Sequence, residues 1–509
     1  MKLSRSFFVS LAGASLLLIF LNSINRIIGF LREIIYASEF GVSKDFDIFL
    51  VVSILPITIN TVIYYIAQNH FIPQYSYFKS NKNEADAFLI NNYIGFGIIG
   101  LLIFFGFFIF SEKILIVILG LEYLNNTTKL IFNIFLLTIP ISSISSVIAA
   151  YLNYSKKFPI PALSAIFQNI SVVLFVVFTN RFIGIISISV GYLVGTILQL
   201  FYLHYKSKIS FNSYFLTKIS FKYWLKKSSQ SLLIIIAIEF ISQLYIMSDR
   251  FFFSYVDVGG LSALNFAQNI ALLPVTIISL SINTILFPKF SENISNINTD
   301  EDSIFIRSIS LTLFIFIPIF IAFTFWSQEI ITLIYERGKF VKSDSLNAAK
   351  LLTYYGYGIL FYSIYALLNK IIYSARLYKI LLLITVLGII VKILFNFLLV
   401  IPFNYSGLAI STSLSYVILF LLSCLFLKPV VGLAWIFKSL KELTQLILNA
   451  IIAFLIVETI FNIDNIFDTK IQFIMKIFIY LLIFISNYSL SRYKLKEFLL
   501  KYSNLKLTS

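Results

Sequence analysis

The sequence predicts an all-α polytopic membrane protein of about fourteen transmembrane helices: two six-helix lobes in a parallel pseudo-two-fold repeat, plus two C-terminal helices. Three observations carry this reading. Of the 509 residues, 59% are hydrophobic and only 12% charged, more apolar surface than a soluble globular chain uses. Apolar runs of about 20 residues, enough to cross a bilayer, recur from end to end. The connections between them are short, and no stretch has the composition of a soluble domain.

In order, the spans read 7–35, 46–77, 86–111, 127–154, 159–179, 182–205, 227–254, 260–287, 303–325, 345–373, 378–402, 406–427, 440–461 and 471–491. The first follows Lys2 and Arg5 with "FFVSLAGASLLLIF", superficially like a secretory signal. Its apolar run continues past the small residues "AGAS" into a full span, so an uncleaved first helix is expected. Several spans exceed the minimum length and are expected to tilt or kink. Pro56, Pro140, Pro274 and Pro318 fall inside spans, where neighbouring helices satisfy the freed carbonyls.

Lysine and arginine set the orientation. If Lys2 and Arg5 are cytoplasmic, so are Lys79, Lys82, Lys156, Lys157 and the cluster Lys206, Lys208, Lys218, Lys222, Lys226 and Lys227. Arg376, Lys379, Lys428, Lys438, Lys441 and the tail cations Arg492, Lys494, Lys496, Lys501 and Lys506 join that side. The other loops pair their cations with acids, as in "SEKILI" and "YERGKF". Both termini are therefore expected in the cytoplasm of a bacterium, with the chain in its plasma (inner) membrane. The net charge of +16 is a topology signal rather than a nucleic-acid footprint. One cysteine, Cys424, and two histidines, His70 and His204, argue against a disulfide framework or a Cys/His metal site.

An internal repeat supports the two lobes. Arg32 is followed at offsets 9, 15 and 24 by Gly41, Asp47 and Pro56; Arg250 is followed at the same offsets by Gly259, Asn265 and Pro274. "FIPQYS" and "LFPKFSE" close the two copies. Six spans separate them, so both have the same membrane orientation, and substrate is expected between the lobes. The expected division is 1–210, 211–430 and 431–509, the last holding two extra helices and a basic tail.

Polar residues at helical spacing form stripes. They are Ser15, Asn22, Arg26, Gly29 and Glu33; Ser53, Asn60, Tyr64 and Gln68; Ser228, Ser231, Glu239 and Ser242; Asn265, Asn269, Thr276 and Asn283; and Thr385, Gly388, Lys392 and Asn396. Uncharged stripes also serve as glue between helices. Ionisable groups inside spans face a cavity or a partner. Arg26 and Lys392 are thus read as cations of a hydrated cavity suited to an anion, joined by Asn60, Asn269 and Asp47, with a structural pairing of Arg26 or Lys392 to Glu239 as the alternative. Glu239 is the candidate site for a coupling proton or sodium ion. Arg32, Glu33 and Arg250, nearer the span ends, are read as support: the arginines cap helices or pair with Glu33 and Asp249. No Gly-rich loop ending in Gly-Lys-Ser/Thr is present, so transport would run downhill or on an ion gradient. No covalent chemistry, catalytic residue, cofactor or resident metal is expected.

"NRIIGFLREIIYASEFGVSKDFDIFLVVSILP", from Asn25, resembles the opening signature of the MviN/MurJ family, within the multidrug/oligosaccharidyl-lipid/polysaccharide exporter superfamily. "GLSALNFAQNIALLPVTIISLSINTILFPKFSE", "IYERGKFVKSDSLNAAKLLTYYGYG" and "GLAISTSLSYV" continue the resemblance in the family's order. It implies a flippase that moves a polyprenyl-pyrophosphate-linked glycan to the outer leaflet by alternating access. It also implies a cationic cavity with Arg26 facing the diphosphate, a groove beside the last two spans for the polyprenyl tail, and membrane lipids as surroundings. Arg26, Arg32 and Asp47 match the family's pattern, with Glu33 in place of Asp. Asn60, and Gln268 with Asn269, stand where peptidoglycan-precursor flippases carry arginines. That departure favours a surface-polysaccharide repeat unit over lipid II, with Lys392 compensating for one lost cation. Two alternatives remain: an ion-coupled exporter of small organic cations, which needs an acidic cavity, and a non-transporting scaffold of the same fold.

Overall fold

The computed structural model describes residues 11–78, 82–209, 230–293, 301–431, 434–461 and 469–491. The N-terminal and tail cations, Lys79, the cluster Lys218–Lys227 and Ser228 lie outside the described residues, as do the side chains of Ser15, Ser231 and Asn283.

Sixteen α-helices are present among the described residues. The first seven are α1 (Leu11–Phe40), α2 (Lys44–Phe78), α3 (Lys82–Ile109), α4 (Ser111–Leu119), α5 (Asn126–Tyr154), α6 (Pro159–Ile183) and α7 (Ile186–Ser207). The next seven are α8 (Gln230–Met247), α9 (Gly260–Asn293), α10 (Glu301–Phe325), α11 (Ser327–Tyr335), α12 (Lys342–Ser374), α13 (Tyr378–Phe403) and α14 (Tyr405–Val431). The last two are α15 (Ala434–Phe461) and α16 (Thr469–Ser491). Each of the fourteen long helices occupies one expected span. Twelve are long and apolar enough to cross a membrane; α1 and α8 complete the set. The nine-residue helices α4 and α11 were not expected: "SEKILI", read as a loop, begins α4.

The repeat is visible in the packing. α5 packs on α2, α3 and α7, and seven helices later α12 packs on α9, α10 and α14. Likewise α1 lies on α6, and α8 on α13. The two bundles meet through reciprocal pairs, α1 with α9 and α8 with α2, as a pseudo-two-fold requires. The α4 and α11 pair obeys the same relation, since each follows the third long helix of its bundle.

Local chemistry explains the ends and bends. Asn125 caps α5, its side chain accepting from the Thr128 N–H at 2.8 Å. Pro140 interrupts the backbone ladder of α5, and nearby hydroxyls bond backbone carbonyls: Thr138 donates to Phe135 O at 2.6 Å and Ser143 to Ile139 O at 2.7 Å. The repeated glycines turn the chain between helices. Gly41 ends α1 at φ +62°, its N–H bonding Ala37 O at 2.9 Å, and Gly259 precedes α9 at φ +86°. Outward faces carry Leu102, Phe105, Phe178, Phe201 and Ile401, all exposed, as lipid contact demands.

α15 lies on α10 and α16 on α15. Their internal acids are satisfied locally. Glu458 pairs with Lys476 at 3.0 Å and accepts from Trp326 Nε1 at 2.7 Å, while Glu442 accepts from the Ser310 hydroxyl.

Candidate functional site

Hydrogen bonds between the two bundles gather, among the described residues, at the end of the molecule where α1 turns into α2. The Lys339 N–H donates to Ser38 O at 2.8 Å. Asp47 of α2 reaches the N-terminus of α9, accepting from the N–H groups of Gly259 and Ser262 at 2.6 Å each and from the Ser262 hydroxyl. The first N–H groups of a helix lack partners of their own and sit at its positive pole, so a carboxylate there is strongly favoured. Asp47 is 0% exposed. It is therefore an inter-bundle strut, which corrects the expectation of a cavity ligand. Phe46 stacks on Phe266 beside it, with ring centroids 5.2 Å apart.

The backbone comes close here. A methyl group on Gly41 would lie 2.6 Å from Lys339 O, in a left-handed conformation that already disfavours side chains. Gly41→Ala should weaken this latch by about 1–3 kcal/mol. Spin-label distances between the α1–α2 and α11–α12 turns should lengthen, and an unchanged distance distribution would reject the latch.

The supporting residues form a second layer. Arg32 bonds Glu33 at 2.7 Å and Asn169 at 2.9 Å, and Asn169 donates to Asn25 at 2.9 Å. Glu33 crosses to the other bundle, accepting from Asn265 at 3.1 Å and Asn269 at 3.0 Å. Arg250 donates to Asn265 at 3.0 Å and to Leu261 O at 3.4 Å. Asn269, expected in the cavity, is held by Glu33 instead.

Lys392 requires the larger correction. It is 1% exposed, and its Nζ lies 2.8 Å from Asp249 Oδ1 and 3.3 Å from Leu408 O, with Thr412 Oγ1 as a third partner. Asn396 donates to the same Asp249 oxygen at 2.9 Å. An ammonium in so dry a place is held by the nearest carboxylate. It offers no charge to a cavity, and compensates for no missing arginine.

Arg26 behaves differently. It is exposed, and together with Glu239 it acts electrostatically on Tyr65; Glu239 in turn feels Lys370 and lies near Tyr373. These groups come from α1, α2, α8 and α12, hence from both bundles. Lys370 is exposed and Glu239 half-buried. Two exposed cations and one half-buried carboxylate are thus linked through Tyr65 and Glu239, with a net positive charge suited to an anion.

Asn60 lies in a separate place, a polar pocket of about 210 Å³ inside the first bundle. Its amide donates to Thr138 at 2.8 Å. Ser145 and Ser146 of α5 and Gln168 of α6 share the pocket, and Tyr65 links it to the Arg26 group. A second, apolar groove of about 650 Å³ runs between α2, α4 and α8, past Leu55, Ile63, Val117 and Leu244.

The sequence reading missed Ser262, Tyr65 and the serines, and offered Asp249 as a partner for Arg250 rather than for Lys392. The serine positions 142, 145 and 146 share one helical face, a signal that was available. Asp249 and Ser262 become partners only through tertiary packing.

Comparison with known proteins gives a consistent picture. The family model "Lipid II flippase MurJ" matches residues 36–482. A probable lipid II flippase of Buchnera aphidicola subsp. Schizaphis graminum is 30% identical over 423 residues, covering 78% of this chain and 80% of its own. The lipid II flippase of Thermosipho africanus is 27% identical, covering 93% and 96%. A solved lipid II flippase in an inward closed conformation superimposes with TM-score 0.80 at 25% identity, covering 94% of this chain and 99% of that one. An inward-facing transporter of the multidrug MATE family shares the fold alone, with TM-score 0.65 at 11% identity, covering 83% and 99%.

Proposed function

The chain belongs to the lipid II flippase MurJ family, membrane transporters rather than enzymes, and from that premise we propose that it carries lipid II from the inner to the outer leaflet by alternating access of its two bundles. The observation that carries the reading is that Arg26 and Lys370, exposed cations from opposite bundles, act on the neighbouring groups Tyr65 and Glu239, while the far end of the molecule is latched. A diphosphate between them is neutralised by a guanidinium that matches its oxygens in pairs and by an ammonium that acts as a point charge. Lys156, Lys157, Lys206, Arg376 and Lys379 lie at the end away from the latch. By the positive-inside rule that end faces the cytoplasm, so the site opens toward the leaflet where the substrate starts.

Arg26→Ala removes a charge-assisted pair of about 1.5–3 kcal/mol, so flipping in reconstituted vesicles should fall about ten- to a hundredfold. An Arg26→Ala protein that flips at the wild-type rate overturns the proposal.

One observation favours a surface-polysaccharide unit as a second reading: Asn60 and Asn269 are neutral and engaged with Thr138 and Glu33. Rescue of a conditional lipid II flippase mutant decides between the two, since a protein specific for the other glycan leaves that strain dead. An exporter of organic cations fits poorly, because the accessible cations outnumber the carboxylate.

A further inference from the structure

We infer that the polar pocket of the first bundle receives the sugar ring bonded directly to the diphosphate, an assignment that rests on the flippase reading. Three features point to a neutral, hydroxyl-rich group. Among the described residues the pocket is lined by amides, hydroxyls and phenols without a carboxylate or a cation. It therefore repels neither phosphate nor metal outright, yet offers neither the opposite charge that would hold it against desolvation.

The second feature is its hydrogen-bonding polarity. The Ser145 and Ser146 hydroxyls donate to Ile141 O at 2.9 Å and Ser142 O at 2.7 Å, which leaves their lone pairs for the pocket. Gln168 spends its amide on Thr196 at 3.1 Å, and Gln199 donates to Ser164 at 3.3 Å. Asn60 donates to Thr138, and its Oδ1 is buried without a partner among the described residues, in a residue only 8% exposed. A buried acceptor left unmet costs about 1–3 kcal/mol. The walls thus present acceptors beside the Tyr64, Tyr65 and Tyr192 hydroxyls, and the unmet Asn60 Oδ1 calls for an O–H or N–H donor. Sugar hydroxyls and an N-acetyl amide supply both; phosphate oxygens supply neither.

The third feature is size and place. At about 210 Å³ the pocket is smaller than the roughly 300–1,000 Å³ of ordinary ligand clefts. It has room for one pyranose ring and is far too wide for a bare cation. Tyr65 lines it on one side and feels Arg26. A diphosphate held at Arg26 therefore has its first sugar next to the pocket mouth.

The test uses the purified full chain in detergent, with native mass spectrometry of two probes. One is a polyprenyl diphosphate carrying a single N-acetylhexosamine, the other the same polyprenyl diphosphate without sugar. Wild type is expected to prefer the sugar-bearing lipid. Ser146→Leu fills the pocket and should cut affinity for that lipid tenfold or more while leaving the sugar-free lipid unaffected. The double variant Ser145→Ala with Ser146→Ala removes acceptors without added bulk; it should show the same selective loss at several-fold and answers the question if Ser146→Leu does not fold. Equal losses for both lipids, no loss, or no wild-type preference overturns the inference. Wild type binding neither lipid overturns the flippase reading itself, and the pocket assignment with it.

Discussion

Lys392→Met should destabilise the protein by about 3–5 kcal/mol, the largest effect expected of any single substitution in the second bundle. The methionine nearly matches the lysine stem in volume, so packing is largely kept and the loss is electrostatic. What remains is Asp249, 8% exposed, which has lost its ammonium partner and keeps the Asn396 amide and the less direct charge of Arg250. Leu408 O keeps the Thr412 hydroxyl, which donates to it at 2.8 Å. The indole-free wall offers little relief, since the Tyr245 ring, with its centroid 5.9 Å from Nζ, stabilised a cation and not an anion. Adding Asp249→Asn removes the stranded charge, and the double variant should recover most of the lost stability because a buried pair is weak in net terms while a broken one is costly. Denaturant unfolding in detergent reads both values. A Lys392→Met protein as stable as wild type would show the pair to be unimportant.

The same residue shows where sequence reasoning stops. An ionisable group inside a span faces either a cavity or a partner, and nothing local to Lys392 distinguishes them. Its partner lies 143 positions away (392 − 249), on a short 3-10 turn, Ser248–Tyr255, after α8. The repeat was more legible because it is periodic: Arg32 and Arg250, Gly41 and Gly259 occupy matching places in the two bundles. Even so, the copies use matching residues differently. Arg250 bonds Asn265, its own repeat partner, whereas Asp47, the counterpart of Asn265, turns away from Arg32 and crosses to α9. The spans could be drawn from hydropathy alone, since a bilayer leaves helices few alternatives. The short helices α4 and α11 escaped because nine residues carry too little periodic signal to separate a helix from a polar connection.

Asp47→Ala should open the latch. The carboxylate accepts three bonds from the start of α9, all of them charge-assisted, each worth about 1.5–3 kcal/mol net. Not all of that is lost, because water reaches the freed N–H groups once the bundles part. A net loss of about 3 kcal/mol shifts the ratio of latched to unlatched protein about a hundredfold, at 1.4 kcal/mol per tenfold. The substitution acts on a state equilibrium and not on the fold, since Asp47 joins the bundles and supports neither from within. Helical content and unfolding midpoint should therefore change little, while spin-label distances between the α1–α2 and α8–α9 turns should gain a longer population. Asp47→Asn keeps one acceptor and loses the charge that favoured the helix pole, and should fall between Ala and wild type. The Glu33 bridges to Asn265 and Asn269 are partly exposed and cannot replace it. A latch held chiefly by aromatic stacking, as between Phe46 and Phe266, predicts the opposite result: unchanged distances in Asp47→Ala and a lengthened population in Phe266→Ala.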